Sequence, residues 1–255
     1  ATLTRSGGTL YANYNTSGTT GGVLTIGAGV TVSGYGNISH YYSGSVVNNG
    51  TVLAAGAGQT LTVNPAVFTN NGTLGATTGT LTLNSASWSN GGTLSQTGGT
   101  INLGGSFAGS SVIGKISRSG GTFNITGVLD LGGNGVLDIG SAAGAFGTGG
   151  LSSLTGTIRN GTLINSTPLT ASFVSVGGEL DGMTIGNAGN LVLTGTGNGT
   201  LAVKNGLVLA NGATFNAGPG TLYMQDSTSV TAAGGGSATL TRSGGTLYAN
   251  YNTSG

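Results

Sequence analysis

Apolar and polar residues alternate in short bursts along most of this chain. Residues 60–63 read Thr-Leu-Thr-Val, 80–83 Thr-Leu-Thr-Leu, 100–103 Thr-Ile-Asn-Leu and 122–125 Thr-Phe-Asn-Ile. Alternation with a period of two marks a strand with one buried face. The inward residues are then expected to be Leu61, Leu81, Ile101 and Phe123 in one column, and Val63, Leu83, Leu103 and Ile125 in the next. Val47, Phe68 and Trp88 are expected to form a third. Gly, Asn and Ser separate the bursts, and these residues tolerate left-handed backbone and turn the chain. No stretch has a helical period, and glycine at this frequency would weaken a helix.

The bursts recur. Leu61, Leu81 and Ile101 are evenly spaced, and Phe123 falls two places beyond the next even step. NNGTV at 48–52 returns as NNGTL at 70–74 and NGGTL at 90–94. LTRSGGTL at 3–10 returns as ISRSGGTF at 116–123. A coil of this length cannot bury its apolar face alone, but a stack of coils can. The pattern predicts an all-β parallel β-helix, a β-solenoid, of about eleven coils of about 20–22 residues. Asn49 over Asn71 and Asn70 over Asn90 are expected to form amide ladders at the turns. Coils about 4.8 Å apart would rise about 50 Å in all.

A longer repeat encloses the shorter one. Residues 1–18 and 238–255 are identical, so the pattern restarts after position 237. The chain is read as one tandem-repeat unit, 1–237, followed by the start of the next, 238–255; an artificial overlap of the two ends is the alternative. Neither end carries an amphipathic capping helix. An uncapped solenoid end is a bare sheet edge that invites pairing, which suggests units that continue or add end to end.

Composition narrows the function. With 55 glycines but only 3 prolines and no three-residue period, the chain is not collagen-like. At 36% hydrophobic residues and a net charge of +1, it can bury a core, unlike a disordered segment. Six scattered basic residues, Arg5, Lys115, Arg118, Arg159, Lys204 and Arg242, give no footprint for nucleic acid. No apolar run is long enough for membrane insertion. With no cysteine, disulfides and thiolate metal sites are excluded. A start at Ala1 without methionine is read as a mature or excerpted segment.

The NNGTL…TGTLTL pattern with glycine-rich turns, clearest over 45–125, resembles the passenger regions of bacterial autotransporters and the filamentous haemagglutinin-like exoproteins. The resemblance implies a right-handed parallel β-helix, exported and displayed at the cell surface, with roles in adhesion, biofilm or matrix.

Candidate chemistry is sparse. Enzymes on β-helices use clustered carboxylates, and this chain has five acidic residues. Glu179 and Asp181 would share a strand face and could act as acid and base on a glycoside; a solvated turn in GGELDG is the plainer reading. Asp130 and Asp138 could meet across coils. GGNGVLDI at 132–139 approaches a calcium-binding nonapeptide, but its aspartate falls one place late and such sites need several copies in register. No metal or other cofactor is expected. His40 is the single histidine; with Ser39 and Ser43 it lacks a nucleophile elbow and is read as part of an exposed loop, GNISHYYSG. Threonine columns such as Thr60, Thr80 and Thr100 suit outward strand positions, and an ice-binding array would be broken at Asn102. Asn-x-Thr sequons follow from the NGT turns.

The tyrosines are more pointed. Tyr11, Tyr14, Tyr35, Tyr41 and Tyr42 fall in the first two coils and, with His40, form a candidate contact surface, since tyrosine is enriched at interfaces; a core filler is the competing reading. Three functions follow: a structural extracellular fibre that pairs with itself, an adhesin stalk that binds cell-surface glycans or neighbouring cells, and, least supported, a polysaccharide-cleaving enzyme.

Overall fold

Four-residue strands set the pattern of the first half of the computed structural model, which describes residues 1–13, 21–140, 144–166, 171–187, 190–193, 199–226 and 228–251. The strands pair in parallel and join one coil to the next, as in Thr60–Val63 on Thr80–Leu83. The helical content of the described residues is two single turns of 3-10 helix, Gly109–Ser111 and Ala233–Gly235. The fold is a β-solenoid, divided into two compact units, residues 1–123 and 124–255.

In the first unit one register column runs Leu3–Val32–Val52–Leu74–Leu94–Ile116, five steps from coil to coil. In the second, Leu129–Ile158–Leu180–Val203–Met224 makes four. The solenoid makes about nine turns, slightly fewer than the eleven coils expected from spacing. The reason is coil length: the steps from Leu3 to Val32 and from Leu129 to Ile158 are much longer than the step from Leu61 to Leu81.

Up to Ile101 and Leu103 the two core columns lie where alternation put them. Leu61 pairs with Leu81 and Leu81 with Ile101, and Val63, Leu83 and Leu103 follow beside them. All six, with Phe123 in the same unit and Ile125 in the second, are fully buried. Each such side chain contributes about 1.5–3 kcal/mol by leaving water. The third column needs a correction. Phe68 lies in register with Val46, not Val47, and Val46 is buried while Val47 faces outward beside Thr69. One residue of slip exchanges the faces of a strand, and the step from NNGT at 48 to NNGT at 70 selects Val46. Trp88 lies on Phe68, stacks on Phe107 at 4.4 Å and donates from Nε1 to the Gly104 carbonyl at 2.9 Å.

The NNGT turn explains itself residue by residue. Its first Asn points inward: Asn48 Nδ2 donates to Asn70 Oδ1 at 2.6 Å, and Asn70 Nδ2 to Asn90 Oδ1 at 2.7 Å, all three side chains buried. Asn90 Nδ2 ends the row on the Ser111 carbonyl at 2.9 Å. The second Asn points outward, where Asn71 Nδ2 donates to Asn49 Oδ1 at 2.9 Å. Both expected ladders are present, and Asn48 extends the buried one. Glycine is required by close approach: a Cβ on Gly72 would lie 2.0 Å from the Gly50 carbonyl oxygen, and one on Gly92 2.0 Å from that of Gly72. Thr then starts the next strand.

Candidate functional site

The first candidate is the aromatic corner of the first two coils. Strand Thr2–Ala12 lies on strand Thr31–His40, with Tyr11 opposite Ser39 and Ala12 opposite His40. The chain then turns sharply. The Tyr41 N–H donates to the Ala12 carbonyl at 2.9 Å, and Gly44 N–H to the Tyr41 carbonyl at 3.2 Å. Tyr42 and Ser43 take left-handed backbone, φ 48° and 61°, which is costly for a bulky residue. Asn13 Nδ2 holds the Tyr42 carbonyl at 3.3 Å. The turn presents three rings: Tyr11 meets Tyr41 edge-on at 5.6 Å, and Tyr41 meets Tyr42 at 5.0 Å. Each of the three is more than 40% exposed.

The other expected members of this surface behave differently. Tyr35 is half-buried, and its ring lies over the backbones of Gly7 and Gly56, so it packs the turn. His40 is not in a loop: GNISHYYSG runs as strand to His40, and only 41–44 turn. Its Nδ1 lies 3.2 Å from the Asn64 carbonyl on the next coil, a contact that fixes the ring. Tyr14 lies outside the described residues. Tyr248, the counterpart of Tyr11 in the second copy of the repeat, stacks on Tyr223 at 5.2 Å with rings 10° apart.

The second candidate is electrostatic, and sequence reasoning missed it. In the second unit Asp130 lies in register with Arg159, Arg159 with Asp181, and Asp181 with Lys204. Charges that look scattered along the chain thus form one column of alternating sign. Arg159 Nε donates to Asp130 Oδ2 at 2.9 Å, and Lys204 Nζ lies 3.6 Å from Asp226 Oδ2. Beside the column the backbone corners in left-handed geometry at Asn160, Gly182 and Asn205, φ 56°, 60° and 53°, positions that Asn and Gly tolerate. The corner amides reach back one coil, Asn205 Nδ2 to Asp181 Oδ1 at 2.6 Å and Asn160 Nδ2 to Asp130 Oδ1 at 3.2 Å. The Gly132 N–H, with Asn160 and Arg159 behind it, holds the Asp130 carboxyl below its ordinary value against the opposing push of burial.

These contacts bear on the carboxylates considered for chemistry. Glu179 and Asp181 do share the outward face on either side of buried Leu180. Glu179 accepts from Thr157 Oγ1 at 3.4 Å, while Asp181 lies between two cations. Asp130 and Asp138 do not meet: each caps a turn, Asp130 accepting from Gly132 N–H and Asp138 from Gly140 N–H, both at 2.9 Å, and Asp138 also from the Ser166 hydroxyl. Among the described residues no three His, Cys, Asp or Glu side chains gather as a metal site.

The RSGG turns form a third recurring device. The Arg5 guanidinium donates to the carbonyls of Gly7 and Gly8 at 3.0 and 2.8 Å. Arg118 reaches Gly120 and Gly121 in the same way. Arg242 donates to Gly244 at 2.8 Å and also crosses to the Gly220 carbonyl of the preceding coil at 2.9 Å.

Compared with protein-family models, curated proteins and solved structures, the chain matches none.

Proposed function

We propose that this chain is a structural extracellular repeat protein, displayed as a long fibre or cell-surface filament that grows by stacking coil on coil. One observation carries the reading. The second copy of the repeated segment lies on the preceding coil as one more rung, Thr239 opposite Thr214 and Leu247 opposite Leu222. A surface of low charge suits tight stacking, because like charges on adjacent rungs repel. The carboxylates of the second unit are engaged by cations, turn amides and hydroxyls rather than gathered in a cleft, which supports a non-enzymatic role. Electron microscopy and fibre diffraction of the native material test the reading. The expected result is long thin rods, a layer spacing of about 4.8 Å and an axial repeat of about 45–50 Å for each full copy of the unit; short isolated particles would overturn it.

A second reading, an adhesin stalk that binds cell-surface glycans, is favoured by one feature. Tyr11, Tyr41 and Tyr42 form an exposed aromatic corner on a turn with two left-handed residues, and aromatic faces stack well on sugars. Replacing Tyr41 and Tyr42 with Ser is expected on this reading to leave the fold intact and reduce binding to cells and glycan arrays. Unchanged binding would remove it.

A further inference from the structure

Among the described residues, strand Thr2–Ala12 pairs along one edge only, with Thr31–His40, and Leu3 is 46% exposed. Its register mates Val32, Val52, Leu74 and Leu94 are all buried. What covers such an edge is written in the chain itself. Residues 238–251 have the sequence of residues 1–14, and they lie on a coil that ends the preceding repeat: Thr239, Leu240 and Thr241 opposite Thr214, Phe215 and Asn216, and Leu247 and Tyr248 opposite Leu222 and Tyr223. Matching the two copies residue for residue transfers that register to the first.

We infer that residues 2–11 are a two-sided docking strand, and that the 214–225 coil of a second copy of this chain pairs on its open edge with Leu3 opposite Phe215, Leu10 opposite Leu222 and Tyr11 opposite Tyr223. The inference rests on the fibre reading and specifies its joint. The pairing is the same whether copies are joined through peptide bonds or meet as separate chains; in separate chains, residues 238–251 occupy the site that residues 1–14 of a neighbour would take.

Three observations agree with this joint. Arg242 makes both a bond within its own turn and a bond across to Gly220, whereas the guanidinium of Arg5, its counterpart, is held by its own turn, at Gly7 and Gly8. A Cβ on Gly8, where φ is +70°, would meet nothing within 4 Å, yet a Cβ on its counterpart Gly245 would lie 2.1 Å from the Gly220 carbonyl oxygen. Space at this glycine is therefore tight only where the joint is made. Finally, Tyr248 stacks on Tyr223 while Tyr11 meets Tyr41. At the joint one ring makes both contacts, and the aromatic corner becomes the place where repeats meet.

The test uses the full chain, which has no native cysteine. Leu240→Asp with Leu247→Asp puts two carboxylates into the last rung and frees the 214–225 coil; Thr4→Cys with Asn216→Cys reports the register. The expected result is filaments by electron microscopy and, on oxidation, a ladder of disulfide-linked multimers on a non-reducing gel. Adding Gly8→Asn, a residue that tolerates left-handed backbone, is expected to abolish both while the β circular dichroism stays. Filaments without the ladder would overturn this joint and leave the fibre reading standing. A folded chain that forms neither filaments nor linked multimers at any concentration would overturn this joint, and the native material then decides the fibre reading. If the carboxylate variant loses its fold, the otherwise unaltered chain with Asn216→Cys and Thr241→Cys decides: its intrachain disulfide locks residues 238–251 in place and is expected to block the self-association that the reduced form shows on concentration. Equal sedimentation of the locked and reduced forms at every concentration would overturn the joint.

Discussion

Arg159 donates from Nε to Oδ2 of Asp130 at 2.9 Å across adjacent coils, in a column that continues through Asp181 and Lys204. Hydrogen bonding from Gly132, reinforced by Asn160 and Arg159, lowers the Asp130 carboxyl in the folded chain. A depressed carboxyl stabilises the fold above its unfolded value, about 3.9, and loses that contribution as pH falls through the lower folded value. The Asp130 contribution is therefore expected to be constant from about pH 7 to about pH 5, to decline below that, and to be gone once the pH lies under the folded value. Comparing melting temperatures of the native chain and Asp130→Asn across this range measures it: the gap between them should close in acid.

Asp181 is flanked in register by Arg159 and Lys204. Asp181→Lys would set three cations on successive rungs about 4.8 Å apart. A lower melting temperature is expected, with a deficit that shrinks as salt screens the repulsion. Thermal denaturation at low and high ionic strength checks this; a deficit indifferent to salt would mean that the column acts through packing alone.

Leu81 is fully buried between Leu61 and Ile101. Leu81→Ala is expected to cost about 2–5 kcal/mol through lost burial and the cavity left behind. Leu81→Asp buries an unpaired carboxyl and should disrupt several coils. Denaturant unfolding followed by the fluorescence of Trp88 reads both.

Asn70 serves its neighbours twice, accepting from Asn48 and donating to Asn90. Asn70→Ala leaves one buried donor and one buried acceptor short of a partner, at about 1–3 kcal/mol each. Chemical denaturation should show the loss, and Asn71→Ala, on the exposed ladder, should lose far less.

The regular coils were legible because the same residue types recur at a steady spacing, so Leu61, Leu81 and Ile101 announce their own register. Where the coils lengthen, as between Leu129 and Ile158, nothing in the sequence marks which residue lies over which. Asp130, Arg159, Asp181 and Lys204 stand at unequal intervals along the chain and read as isolated charges until pairing aligns them. Val46 was missed by one position because two adjacent valines satisfy the same hydrophobic pattern and only register separates them. The tyrosine corner was visible as composition, but its division into exposed Tyr11, Tyr41 and Tyr42 and the packed Tyr35 depends on the turn at 41–44.

The buried asparagine row has a direction. Each amide gives its NH2 group to the next, and the last gives it to the Ser111 carbonyl, a group that can only accept. At the other end Asn48 Oδ1 receives the Gly50 N–H, which can only donate. No single amide can reverse without setting oxygen against oxygen or hydrogen against hydrogen, so the row behaves as one object with both ends pinned. Aligned dipoles polarise one another, and their sum points along the stacking direction of the first unit. The row thus gives the coils of the first unit a sense along their stacking direction, so that one end of the row differs from the other before any partner arrives.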